Sequence, residues 1–166
     1  DPGPGLAAHG DVAPDFACER LGAAREPVQR LRDVIGDEFA VLLAGLRDPR
    51  QAAAAAVRAT RAAQPCRVRV LAVGPDRALR DVTVLRAADP ASTGPYDAAG
   101  PRAWLIRPDG HVAGSLPLDD PAALDALPGL VARAIGAGVS DVAAAVRGAR
   151  RRAGLRRASG VGFGGD

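Results

Sequence analysis

The run "EFAVLLAGL", Glu38 to Leu46, narrows the fold more than any other stretch of the sequence. It is apolar from Phe39 to Ala44, with neither a period-two alternation nor a helical spacing. A run of strand length with no polar side belongs to a strand buried on both faces, and such a strand needs a layer of helices above and below it. The flanks agree. After the strand over 38–46, Asp48 is placed to cap a helix with Pro49 at its first position, alanines supply helix propensity, and Pro65 stops it. "CRVRVLAVG", over 66–73, sets Arg67 and Arg69 against Val68, Val70 and Ala72, the alternation of a second strand. Strand, helix and strand make a βαβ unit, whose crossover is right-handed in nearly all known cases.

The remainder extends this unit on both sides. "DFACERLG" reads as a strand. "EPVQRLRDVIG" reads as a short helix with Pro27 in its first turn, Val28, Leu31, Val34 and Ile35 on one face, and Gly36 at its end. "RDVTVLRAAD" is a further strand, 88–101 an irregular loop, and 103–107 with 111–116 a hairpin. "DDPAALDALPGLVARAIG" is a closing helix, broken or kinked near Pro128, whose nitrogen has no hydrogen to donate. The order β-α-β-α-β, hairpin, α is that of a thioredoxin-like α/β sandwich, a mixed central sheet with helices on both faces. The expected organisation is a linker or arm over 1–10, the sandwich over 11–137, a basic amphipathic helix over 138–158 capped by Ser140, and a disordered tail over 159–166.

Charge and composition exclude several classes. The net charge is +3, but residues 147–166 hold six arginines and one acid, a local +5 that leaves −2 on residues 1–146. A mildly acidic body argues against a nucleic-acid protein, and the arginine run has no interleaved aromatics on which bases could stack. All 22 basic residues are arginine, which with the alanine excess reflects coding bias. No run of eighteen apolar residues and no secretory leader is present, and two distant cysteines make no disulfide framework, so a reduced, cytoplasmic chain is expected. The sequence has no methionine and opens on Asp1, which reads as a piece of something longer.

Candidate chemistry is sparse. The junction after the strand 38–46, "LLAGLRDPRQAA", is where a redox thiol would be activated by a helix N-terminus, and it has no cysteine. Cys18 and Cys66 read as buried structural thiols. His9 and His111 form no metal set with either cysteine. Asp119 and Asp120 precede Pro121 and read as helix caps. The tail "GVGFGG" follows no strand and opens no helix, so it lacks the context of a dinucleotide loop. "RAWLIRPDGHVAG", Arg102 to Gly114, crowds polar residues together, yet turn chemistry accounts for most of them. Pro108 presets the first corner of a β-turn, Asp109 suits the second and Gly110 ends it. Only His111 has no local explanation, and it is expected to pack or to form a hydrogen bond. No catalytic, cofactor-binding or metal-binding residue is assigned.

Three ordered motifs resemble the C-terminal domain of FAD-dependent aromatic hydroxylases, the phenol hydroxylase and polyketide hydroxylase type of flavoprotein monooxygenase. The first is a Gly-x-x-Ala-Pro-Asp opening, at Gly10, Ala13, Pro14 and Asp15, with Val12 where arginine is usual. The second is carried by Leu31, Asp33, Gly36, Phe39, Leu42 and Leu43. The third is carried by Arg107, Pro108, Asp109, His111, Val112 and Ala113, with Gly114 in place of the usual Trp. The resemblance covers roughly residues 10–135. It implies a thioredoxin-like domain without redox cysteines, a structural and assembly role, and packing against the FAD- and substrate-holding N-terminal region or a second subunit. FAD and NAD(P)H are implied for the parent enzyme, where they support hydroxylation of an aromatic ring by oxygen, and none for this chain. "APDF" followed by a helix and a buried strand also resembles the opening of peroxiredoxins, which require a cysteine just after that strand. A stand-alone partner-binding module is the third alternative.

Overall fold

The computed structural model describes residues 8–22, 27–46, 48–97, 100–120 and 122–136. The expected basic helix over 138–158 and the tail over 159–166 lie outside the described residues, as do residues 1–7 of the expected arm.

Among the described residues seven strands form one sheet: β1 (Ala17–Arg20), β2 (Gln29–Arg30), β3 (Phe39–Ala44), β4 (Val68–Val73), β5 (Thr83–Ala87), β6 (Arg102–Ile106) and β7 (Val112–Pro117). Their order across the sheet is β2-β1-β5-β4-β3-β6-β7. Strands β3, β4 and β5 run parallel, while β1 and β6 are antiparallel to their neighbours β5 and β3. The sheet is therefore mixed, with its parallel core where the apolar run sits.

The side chains of β3 divide between two cores. Val41 and Leu43 enter one with the Ala52, Ala55, Ala56, Ala59 and Ala63 face of α2 (Pro49–Ala63) and with Leu124, Leu127 and Val131 of α4, a helix over 123–136. Ala40, Leu42 and Ala44 enter the other with Phe16, Tyr96, Trp104 and the Leu31, Val34 and Ile35 face of α1 (Leu31–Ile35). These five of the six β3 residues are fully buried. The second core holds the aromatics in edge-to-face contact, Phe16 against Tyr96 at 6.0 Å and Tyr96 against Trp104 at 5.6 Å between centroids.

Helix α2 begins as its sequence dictates, with Asp48 Oδ1 accepting from the Arg50 N–H at 2.9 Å and Pro49 in the first turn. The expected helix over 26–36 is shorter than its periodicity implies. Only Leu31–Ile35 is helical, because Gln29 and Arg30 pair with Cys18 and Ala17 as β2, and Val28 is exposed instead of lying on the apolar face. Tertiary strand pairing overrides the helical spacing there. The expected irregular loop over 88–101 contains a 3₁₀ turn (Pro90–Thr93) and a four-residue α3 (Gly94–Asp97), started by Asp89 Oδ1 accepting from Ala91 N–H at 3.0 Å. Pro128 does not break α4, which runs through it from 123 to 136. Arg69, whose alternation with valine points to a wet face, is half-buried and reaches Glu38 at 3.1 Å and the Val34 carbonyl at 3.0 Å.

Gly45, just past β3, has φ +70°, and a Cβ there would stand 3.2 Å from the Gly100 carbonyl and the Pro101 nitrogen. Gly110 also has a left-handed φ of +81°, but a Cβ there would meet only the Arg32 side chain at 3.9 Å. Both alanine substitutions carry the left-handed penalty of about 1–2 kcal/mol, and only Gly45→Ala also drives backbone against backbone. Urea unfolding should therefore find Gly45→Ala less stable than Gly110→Ala by about 1 kcal/mol or more; equal losses would contradict this packing.

Candidate functional site

At the junction where the fold would carry a redox centre, β3 ends in Ala44, Gly45 and Leu46. Leu46 is 1% exposed, its carbonyl lies 3.2 Å from where a Gly74 Cβ would be, and Gly45 rests on Gly100 and Pro101. Asp48 occupies the first N–H groups of α2. Among the described residues the junction is occupied by backbone and an aliphatic side chain, and the α2 terminus is capped.

The cysteines sit elsewhere and differ from each other. Cys18 is buried on β1, as expected; desolvation first, and the Asp15 carboxylate second, push its thiol from the ordinary 9.0 up to about 11. Cys66 is not a buried structural thiol. It is exposed, because β4 begins at Val68 and Cys66 falls in the turn before it. Among the described residues no group of histidine, cysteine and acidic side chains could hold a metal ion.

The hairpin is a turn of the kind its sequence specifies. Gly110 N–H donates to the Arg107 carbonyl at 2.9 Å, and Arg107 N–H to the His111 carbonyl at 2.9 Å. The turn closed by Gly110 in the left-handed region is the common three-residue hairpin loop. Asp109 holds the turn's polar groups together. Its Oδ2 is 2.8 Å from Arg107 Nη2, and its Oδ1 accepts from His111 N–H at 3.2 Å. His111 Nδ1 stands 3.3 Å from the same Oδ1 without the alignment of a hydrogen bond. The backbone of His111, more than its ring, does structural work, forming a bridge with Val12.

That bridge joins two of the three sequence motifs. Gly10 N–H donates to the Val112 carbonyl, Val112 N–H to the Asp11 carbonyl, and Ala13 N–H to the Gly110 carbonyl, each at 2.8 Å. The opening segment then runs on as a strap and meets the second motif. Asp15 Oδ2 accepts from Arg30 Nε at 2.9 Å, Asp15 Oδ1 from Arg32 N–H at 3.1 Å, and Leu31 N–H donates to the Phe16 carbonyl at 2.9 Å. Asp15 thus caps α1 from outside the helix, a contact that no local pattern around Arg30 announces. Tyr96 ties the strap down from the core side, donating to the Pro14 carbonyl at 2.6 Å. The three motifs converge on one cavity of about 20 Å³, room for one water, lined by Ala13, Pro14, Leu31, Ile35, Pro108 and Gly110 among others. Asp119 and Asp120 play no part in this corner, and the Asp120 carboxylate accepts from the Ala122 N–H at 2.9 Å ahead of α4, the capping role expected.

No family model and no curated protein matches the sequence. Solved structures do. Peroxidoxin BcpB from Mycobacterium tuberculosis aligns with a TM-score of 0.57 at 14% identity, over 79% of this chain and 97% of that one. A putative thiol:disulfide interchange protein DsbE from Chlorobium tepidum aligns with a TM-score of 0.54 at 24% identity, over 78% and 99%. These two establish a thioredoxin-like fold. Aklavinone-11 hydroxylase, solved in a ternary complex with FAD and aklavinone, aligns with a TM-score of 0.52 at 26% identity over 75% of this chain. The present chain spans only 20% of that enzyme's length. No described helix is long and apolar enough to cross a membrane.

The two thiols should separate in a reaction with a water-soluble disulfide reagent: Cys66 reacts at once, and Cys18 only as the chain unfolds. Because the folded state holds Cys18 protonated while the unfolded thiol ionises near 9.0, its contribution to stability is intact below pH 9 and falls away as pH rises toward about 11. Cys18→Ala should remove that part of the alkaline decline; an unchanged pH profile of unfolding would refute the assignment.

Proposed function

We propose that this chain is a non-catalytic structural and assembly domain, the C-terminal domain of a flavin-dependent aromatic monooxygenase. The observation that carries the reading is the convergence of the three motifs at one corner. Asp15, Asp109 and His111, polar residues of the first and third motifs, hold the strap, the hairpin and α1 together. A motif set with that geometry serves a fixed surface, not a reaction. The likeness to aklavinone-11 hydroxylase over a fifth of that enzyme's length supports the same reading.

The described residues do not fit FAD. A flavin dinucleotide needs a glycine-rich turn whose N–H groups face the pyrophosphate at a helix N-terminus. Here the corresponding terminus, at α2, is capped by the Asp48 carboxylate, which both occupies the N–H and repels a phosphate. FAD, NAD(P)H and the aromatic substrate accordingly belong to the parent enzyme's other region, and this domain's partner is that region or a second subunit.

A peroxiredoxin-like activity is the rival. It requires a thiol at the Gly45–Ala53 junction, where the sequence has none. The two readings part in a direct assay. The purified chain should leave hydrogen peroxide unconsumed in the presence of excess dithiol beyond the rate of a Cys18→Ser, Cys66→Ser double variant, and it should retain no stoichiometric FAD. Peroxide turnover that depends on either cysteine would replace the proposal with the rival. A coding sequence upstream that lacks a strand followed by Gly-x-Gly-x-x-Gly would remove the flavoprotein assignment.

A further inference from the structure

Strand β6 begins at the carboxyl end of β3, where Arg102 pairs with Ala44, next to the closed junction. Arg102, Trp104 and, across the hairpin, Ser115 share one face of the sheet there. The Arg102 guanidinium lies over the indole, with Cζ 5.6 Å from the ring centroid, and its Nη1 donates to Ser115 Oγ at 2.9 Å. This arrangement fixes the plane of the guanidinium: the indole supports it from below and the serine holds one corner.

What remains unmet is a set of donors. Arg102 Nε is buried and has no hydrogen-bond partner, and the same is true of Trp104 Nε1, in a side chain 1% exposed. Arg102 Nη2 has no hydrogen-bond partner among the described residues, and none of their carboxylates pairs with this guanidinium. The acid nearest in sequence, Asp97, is engaged by Thr93 Oγ1 at 2.5 Å. Ser115 Oγ accepts from Arg102, so its own proton is directed elsewhere. Buried N–H groups without an acceptor each cost on the order of 1–3 kcal/mol, and native structures keep such groups for a reason.

We propose that Arg102, with Trp104 and Ser115, forms a carboxylate-binding site at the carboxyl end of β3. Nη2 is the guanidinium donor left at the surface, beside the buried Nε, and it offers an incoming carboxylate oxygen a charge-assisted hydrogen bond. One positive charge balances one carboxylate, whereas a phosphate near neutrality would keep excess negative charge on a half-buried surface. The location is also where open α/β sheets place their ligands, outside the carboxyl ends of the parallel strands where the connections diverge. The carboxylate comes either from an acidic side chain of a partner protein or from a small free acid. The inference does not depend on the flavoprotein reading.

The sequence has a single tryptophan, so its indole N–H gives one resonance that reports this site. The full chain, labelled with nitrogen-15, is titrated with sodium acetate, sodium chloride and sodium phosphate at matched ionic strength, and with an N-acetyl-glutamyl-amide peptide. Acetate should move the indole resonance saturably, and chloride should not. Arg102→Gln should weaken the response about tenfold or more, as expected for loss of a charge-assisted pair. Ser115→Ala, which leaves the charge and the strap intact, should weaken it less and provides a reading if Arg102→Gln fails to fold. A peptide response at least as strong as that of acetate assigns the carboxylate to a partner's side chain, and acetate alone assigns it to a small acid. No saturable shift, an equal shift in Arg102→Gln and Ser115→Ala relative to the native chain, or a stronger response to phosphate would overturn the proposal.

Discussion

The double-sided burial of β3 is the constraint on which the rest of the structure depends. Residues 40–44 put Val41 and Leu43 into one core and Ala40, Leu42 and Ala44 into the other, so neither face can be left to solvent. The two coverings are unlike. On one side α2 presents a face made entirely of alanine, which brings its backbone close to the sheet and lets leucines and valines of α4 fill what remains. On the other, α1 and α3 are five and four residues long and cannot shield a sheet by themselves. Phe16, Tyr96 and Trp104 supply the missing volume there. Burying large rings compensates for short helices, and it places all the described buried aromatics on a single face.

The short helices also explain the strap. A five-residue helix has too few internal hydrogen bonds to be stable alone, and most of its stability must come from tertiary contacts. Asp15 provides one, accepting from the backbone of Arg32 while pairing with Arg30, and the Phe16 carbonyl provides another at Leu31. The strap is held in turn by the hairpin through Gly10, Ala13 and Val112. Turn, strap and α1 are thus mutually dependent, which accounts for three separated stretches of sequence having the polar residues they do.

The sequence made the regular elements legible because their signals are local. The apolar run of β3, the Asp48-Pro49 start of α2 and the Pro108-Asp109-Gly110 turn each specify their own conformation, and each forms as expected. Where a residue's fate is decided by a distant partner, local reading fails. Val28 has a helical spacing to Leu31, yet the pairing of Gln29 and Arg30 with β1 pulls it out of the helix. Cys66 adjoins an alternating strand pattern, yet strand pairing starts two residues later and leaves it exposed. Asp15 looked like part of a motif, and only its contacts with α1 reveal a cap. The donors of Arg102 and Trp104 were hidden for the same reason, since an unmet hydrogen bond is a property of surroundings and no pattern of residue types encodes it.

The closed junction at Gly45 ties these points to recognition. In a parallel sheet the ends of the central strands are where ligands are reached, because the backbone and helix termini there are exposed to incoming groups. In this chain the backbone at that end is engaged with itself: Gly45 lies on Gly100 and Pro101, Gly74 on Leu46, and Asp48 on the start of α2. With main-chain donors consumed, any chemistry left at this end must come from side chains that project past the seal. The loop that seals Gly45 leads directly into Arg102, so the same close approach that removes the backbone from use also sets the guanidinium at the rim. The closed junction and the fixed cation beside it are in this way consequences of one packing arrangement.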